Sequence, residues 1–338
     1  MTNKNSKKLG FSLIELSIVI LIIGILVAGV TQGSRLVGRS RLAAAKSLTQ
    51  SAPVTGIQGL TMWFDSTSDD SFKTVEAVDG AALSAWYDIQ ELTNKNTAAI
   101  ANGAAAAGTA IQYKENIING LPVVRFSNAA SSNYFFQLNS GSGIPSLTNS
   151  AYTAFYVVRF QPANSTFTTG VWPLLASETT AISTSSTTSM TFLNATGTAG
   201  RFQVCDVNTG TAGTAATGVC SPGTTAGYLY GTSVPQIITV VNENDTSLPA
   251  ANNVRSIFTT GGSGSGTNGA TTQINSTAVS TGTSITASTL SIGRNATNYF
   301  TGDIGEIIVF SRALTVSERR SVECYLGKKW GINGANCS

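Results

Sequence analysis

The sequence predicts a mainly β protein: a long N-terminal apolar helix, an antiparallel two-sheet sandwich, and a C-terminal helix. Three observations carry that prediction. Residues 16 to 30, LSIVILIIGILVAGV, are almost unbroken apolar; ten short apolar segments alternate with Gly, Ser, Thr and Asn-rich turns between residues 60 and 311; and one capped amphipathic segment follows Thr315. A chain of 338 residues suits one large domain plus an appendage. With 42% apolar and 11% charged residues it is too apolar for intrinsic disorder and too uncharged for a long coiled coil.

Charge and composition exclude several functions. The net charge is +3, but seven of the 20 basic residues (Lys4, Lys7, Lys8, Arg35, Arg39, Arg41 and Lys46) lie in the first 50 positions. Beyond residue 51 there are 13 basic and 16 acidic residues, so the large domain is mildly acidic and lacks the basic face that nucleic acid requires. The sequence contains no histidine. Ser-His-Asp and Cys-His nucleophilic catalysis, His-ligated zinc and imidazole acid–base chemistry are thereby excluded.

The first element starts at Phe11, from which the apolar segment runs 20 residues, about 30 Å as a helix and enough to span a bilayer. A secretory signal peptide has a shorter apolar core with its basic residues directly before it. Here MTNKNSKKLG ends in Gly10, and FSLIE follows with a carboxylate inside the apolar region. An ionised Glu15 deep in a bilayer costs up to about 3 kcal/mol, so it needs a partner or a task. Thr31 to Gln50 continue the helix with polar character until Pro53 ends it.

The stretch KKLGFSLIELSIVILIIGILVAGV resembles the class III leader and helix of type IV pilins and of type II secretion pseudopilins. Basic leader, Gly10, Phe11, Glu15 and apolar run all occur in register. The resemblance implies that a membrane-bound prepilin peptidase cuts between Gly10 and Phe11 and methylates the new amine of Phe11. It also implies that Glu15 of one subunit neutralises the Phe11 amine of a neighbour, a buried pair that fixes axial register because a subunit out of step leaves both charges unpaired. Pilin precursors hold the leader side in the cytoplasm, and this orientation is expected here. The stretch Val30 to Ala45 has no proline, whereas many major type IV pilins carry one there; a pseudopilin, minor pilin or divergent filament subunit fits that departure better. Retention of Glu15 argues against a tip pseudopilin, which commonly lacks the carboxylate.

Residues 51–59, SAPVTGIQG, read as a linker, and the sandwich as residues 60–338. The expected strands are 60–65, 84–89, 121–126, 133–138, 152–160, 200–205, 236–242, 254–259, 288–294 and 303–311. In the final helix Thr315 and Glu318 form a capping box, and Val322, Tyr325, Leu326 and Trp330 make the face that packs on the sandwich.

GLTMWFD, LSAWYD, INGLPVVRF and GDIGEIIVFSRALTVSERRSVECYLGKKWGI resemble the landmarks of concanavalin A-like domains of the laminin G-like group in bacterial surface proteins. The resemblance implies a jelly roll, with carbohydrate or surface-protein binding as the expected work.

Candidate chemistry in this domain is sparse. Glycoside hydrolysis needs two carboxylates flanking one bond, and Asp303 and Glu306, three apart on a strand, are expected on opposite faces. No catalytic residue is therefore assigned. Asp65, Asp69 and Asp70 in FDSTSDD are read as a solvated turn rather than a calcium site, and no metal or cofactor is expected. Trp63, Trp86 and Trp330 are expected in the core, while Trp172 is open. Cys205, Cys220, Cys324 and Cys337 all lie in the exported part and suggest two bridges. Of three pairings, Cys205 with Cys220 and Cys324 with Cys337 is favoured, since each closes a short loop.

The expected protein is a pilin-like filament subunit that displays an adhesive sandwich, with carbohydrate among its expected ligands. It resides in the bacterial inner membrane before assembly and then in an extracellular pilus or periplasmic pseudopilus. Its expected partners are copies of itself or other pilins, the prepilin peptidase, and glycans or surface proteins, with no nucleic acid. The alternatives are a pseudopilin of a type II secretion system and a membrane-anchored protein that binds or hydrolyses glycans.

Overall fold

An apolar run with no helix breaker before Pro53 folds as one continuous helix, α1 (Leu13–Gln50), in the computed structural model of the chain. The structure describes residues 13–90, 97–102, 110–126, 134–138, 151–160, 171–177, 189–195, 202–206, 219–221, 234–243, 254–261, 272–278, 290–295, 298–334 and 337. A 3₁₀ turn, Pro53–Gly56, follows α1 directly. Segment 51–59 is therefore more than a tether, because Val54 is fully buried beneath the helices.

The strands are β1 (Leu60–Asp65), β2 (Ala85–Tyr87), β3 (Thr97–Asn102), β4 (Gln112–Ile118), β5 (Leu121–Phe126), β6 (Tyr134–Leu138), β7 (Tyr152–Phe160), β8 (Val171–Ser177) and β9 (Ser189–Ala195). They continue as β10 (Phe202–Asp206), β11 (Val219–Ser221), β12 (Pro235–Asn242), β13 (Val254–Gly261), β14 (Thr272–Ala278), β15 (Leu290–Ile292), β16 (Arg294–Asn295), β17 (Asn298–Tyr299) and β18 (Gly302–Phe310). The chain closes with α2 (Val316–Trp330). One sheet has the order β14-β13-β12-β7-β18-β5-β4, with β1 also paired to β18; the other runs β11-β10-β9-β8-β15-β6-β3-β2. The pairings are antiparallel, as expected for two packed sheets.

The first sheet is buried on both faces, and its sequences say why. In β7, Ala154, Tyr156, Val158 and Phe160 enter the core between the sheets, while Phe155 and Val157 enter a second core beneath the helices. Every residue of β18 is buried. Such strands read as continuous apolar runs rather than alternating ones. The molecule thus has three layers: sheet, sheet, and a helical layer of α2 with the end of α1.

α2 begins with the anticipated capping box, Thr315 and Glu318 bonding each other's backbone N–H, and ends at Gly331. Val322, Tyr325, Leu326 and Trp330 are all buried in the helix-side core. Between β4 and β5 the chain reverses through Asn119 and Gly120, with φ of 50° and 82°. These left-handed values are those of a tight hairpin turn, and Asn-Gly is the dipeptide that adopts it most readily. That turn lies between the two helices.

Candidate functional site

The apolar part of α1, Leu13 to Val30, is 0% buried within the molecule and about 27 Å long. Leu13, Ile20, Leu21, Ile25 and Val30 all stand exposed, as does Glu15. A surface of this size and character belongs in a bilayer or against other apolar helices. Gly24 and Gly29 leave open space around their backbones. Gly10 and Phe11, the expected cleavage pair, lie outside the described residues.

Further along, the same helix becomes part of the sandwich. A Cβ on Gly38 would come 3.1 Å from the side chain of Asn116, so the helix runs close over the end of β4. Arg41 donates to the carbonyl of Asn119 at 3.2 Å, and Lys46 pairs with Asp69 at 2.6 Å. Ala45 is buried in the helix-side core. The Asn119 side chain in turn donates to the carbonyl of Trp330, which ties the hairpin turn to the end of α2.

Under this seat lies a buried group of charges. Lys329 Nζ donates to Asp65 Oδ2 at 2.7 Å and to Glu306 Oε2 at 2.8 Å, and all three side chains are wholly shielded from solvent. Trp63 Nε1 and the Tyr325 hydroxyl donate to Glu306 Oε1 at 2.7 and 2.8 Å; Trp330 Nε1 donates to Oε2 at 2.8 Å. Asp65 accepts from the Thr67 backbone N–H and hydroxyl at 2.9 and 2.8 Å on Oδ1, and from the Thr49 hydroxyl of α1 at 3.0 Å on Oδ2. Burial pushes the Glu306 carboxyl up, with the Lys329 ammonium opposing and Asp65 adding to the shift. The group joins β1, β18, α2 and α1 at one point. Removing Lys329 would leave two buried carboxylates with no counter-charge, which ties the seating of α2 and of the end of α1 to this point.

Several expectations change here. Asp65 is not in a solvated turn: it is buried against Lys329, while Asp69 turns outward to Lys46, so FDSTSDD does not converge. Among the described residues no group of three or more potential metal ligands gathers. Asp303 and Glu306 do not face opposite sides. The β18 register shifts between Ile304 and Glu306, and this bulge at Gly305 turns both carboxylates to the helix-side face, with Ile304 and Ile307 both in the inter-sheet core. Each is engaged separately: Asp303 by Arg125 at 2.7 Å and Arg159 at 2.7 Å, Glu306 by Lys329.

Trp63, Trp86 and Trp330 are core residues as expected. The side chain of Trp172 lies outside the described residues. Cys324 and Cys337 form a disulfide with Cα atoms 4.9 Å apart, tying the tail to α2. Cys205 and Cys220 are directly opposite in the β10–β11 register. Lys329 was missed by the sequence reading although a signal existed: it follows Val322, Tyr325 and Leu326 at helical spacing, a lysine in the apolar stripe.

Fold and site together define a β-sandwich carried on a membrane-competent helix. Residues 5–31 match the family described as the prokaryotic N-terminal methylation motif. That motif implies processing by a prepilin peptidase and pilin-type assembly, with membrane anchoring beforehand. In fold the chain is similar to domain 4 of AbnA, a GH43 extracellular arabinanase from Geobacillus stearothermophilus, in complex with arabinotriose (13% identity, 78% of this chain and 97% of that one, TM-score 0.44). It is also similar to the botulinum neurotoxin serotype D binding domain (11% identity, 80% and 51%, TM-score 0.43) and to Trypanosoma rangeli sialidase in complex with the inhibitor DANA (12%, 82% and 37%, TM-score 0.42). No curated protein matches the sequence.

Proposed function

We propose that the mature chain begins at Phe11 and is a pilin-like filament subunit that carries a β-sandwich binding domain, acting by assembly and adhesion rather than catalysis. The observation that carries this reading is the exposed apolar rod from Leu13 to Val30 with Glu15 near its start, in register with the methylation motif. In a filament, Glu15 of one copy neutralises the Phe11 amine of the next. The rod is seated firmly on the sandwich through Arg41, Lys46 and Thr49, which suits a domain held in fixed orientation on a fibre. Repetition along that fibre turns a weak glycan or surface-protein contact into avid attachment. Two bridges, Cys324–Cys337 and Cys205–Cys220, stabilise the exported domain under this reading.

Glu15→Ala tests the assembly step. An unpaired Phe11 amine in an apolar core costs several kcal/mol per subunit, so surface filaments should be lost while the thermal midpoint of the sandwich stays put. Filament yield equal to the parent's would refute the role of Glu15. Glycan arrays and whole-cell adhesion, both blank, would remove the binding half of the reading.

A further inference from the structure

The buried charges beneath the seat have a geometry suited to chemistry as well as to packing. Lys329 Nζ touches both carboxylates, at 2.7 Å from Asp65 and 2.8 Å from Glu306, in a pocket walled by Trp63, Tyr325 and Trp330 and closed to water. The Thr67 backbone N–H and hydroxyl point at Asp65 Oδ1, where negative charge builds if the carboxyl carbon is attacked. A nucleophile, an electrophile with its oxyanion donors, and a proton carrier are thus held together without solvent.

We propose that Lys329 and Asp65 condense into an intramolecular amide, with Glu306 moving the protons. A proton first passes from the Lys329 ammonium through Glu306 to Asp65 Oδ2, which leaves amine and carboxyl neutral. The Nζ lone pair attacks Asp65 Cγ; the N–C bond forms and the oxyanion rests on Oδ1 against Thr67. Glu306 takes a second proton from Nζ and delivers it to Oδ2, the C–Oδ2 bond breaks, and one water departs. Nζ keeps one hydrogen, Glu306 returns to carboxylate, and the buried net charge stays −1 throughout. No oxidant, reductant or cofactor enters.

Two arguments favour this outcome over a lasting ion pair. Excluded from water, a buried ion pair lacks the solvation that would favour it over a neutral amide. Burial also raises the proton affinity of Glu306, as a proton carrier needs. Asp65 rather than Glu306 is the acceptor because Oδ2 faces the Thr49 and Thr67 hydroxyls, which can accept a proton's hydrogen bond. Glu306 Oε2 faces only donors, Trp330 Nε1 and Lys329. The amide would strap β1 to α2 where α1 docks and enclose nearly the whole sandwich in a covalent ring.

The test is a tryptic digest of the reduced full-length protein from membranes or filaments, read by mass spectrometry. The expected result is peptide 47–73 joined to peptide 329–338, lighter than their sum by one water, with no cleavage after Lys329. Glu306→Gln should yield peptides 47–73 and 330–338 separately. Separate peptides in the parent overturn the proposal by themselves, whether or not any variant folds. A join to peptide 295–312 overturns Asp65 as acceptor, and a join that persists at parental yield in Glu306→Gln overturns the role of Glu306. Asp65→Asn should form the same amide with loss of ammonia; failure of that variant to join while remaining folded also counts against Asp65.

Discussion

Gly305→Ala concentrates the packing logic of the helical layer in one methyl group. A Cβ at Gly305 would lie 2.6, 2.8 and 2.9 Å from three atoms of the Trp330 ring. The ring has no room to retreat: it is fully buried, its Nε1 donates to Glu306 at 2.8 Å, and the backbone carbonyl of Trp330 accepts from the Asn119 side chain. Overpacking of this kind costs about 1–3 kcal/mol. Displacing the indole also strains its bond to a carboxylate, worth about 1.5–3 kcal/mol. The expected loss is therefore about 3–5 kcal/mol, measured by urea unfolding of the detergent-solubilised chain through tryptophan fluorescence. Gly56→Ala is the matched control, since nothing lies within 4 Å of its Cβ, and it should stay within about 0.5 kcal/mol of the parent. Adding Trp330→Leu to Gly305→Ala should cost less than the two changes summed, because the leucine vacates the contested space. Equal stability for Gly305→Ala and Gly56→Ala would mean that the Trp330 ring does not confine position 305.

Two further changes probe α2. Hydrogen bonds from Arg312, then from the Thr315 backbone, pull the Glu318 carboxyl down to about 2 from an ordinary value of 4.5. Its contribution to stability is therefore present above pH 4.5 and lost as pH falls toward 2; Glu318→Gln should flatten the fall of thermal midpoint over that window, and parallel curves for parent and variant would contradict it. Cys324→Ser opens a bridge between residues 13 apart and should cost about 3 kcal/mol, with reductant shifting the parent's urea midpoint further than the variant's.

Legibility in the sequence tracked how far each structural feature depends on distant partners. α2 was readable almost residue by residue, since a capping box and an apolar stripe are local signals. Strands buried on at least one face by branched and aromatic residues, such as β7 and β18, were equally plain. β3 (TAAIAN) and β14 (TQINSTA) were not, because small and polar residues leave no alternation to read, and β4 (QYKENII) carries charges that suit a sheet edge. The charge group was hidden for a different reason. Asp65 and Lys329 stand 264 residues apart, and only tertiary packing unites them. Strand alternation misplaced Asp303 relative to Glu306 because one glycine bulge reverses the facing of every strand residue after it. The rod and Glu15 needed no tertiary information, as both lie in one continuous apolar segment that is exposed along its length.

The N-terminal peptide of protein taken from sheared surface or envelope material decides between a processed filament subunit and a tethered sandwich. Mass spectrometry should find a peptide that begins at Phe11 with a methylated amine. Mature protein that still begins at Met1, with Gly10 joined to Phe11, would contradict the filament reading and leave a tethered β-sandwich.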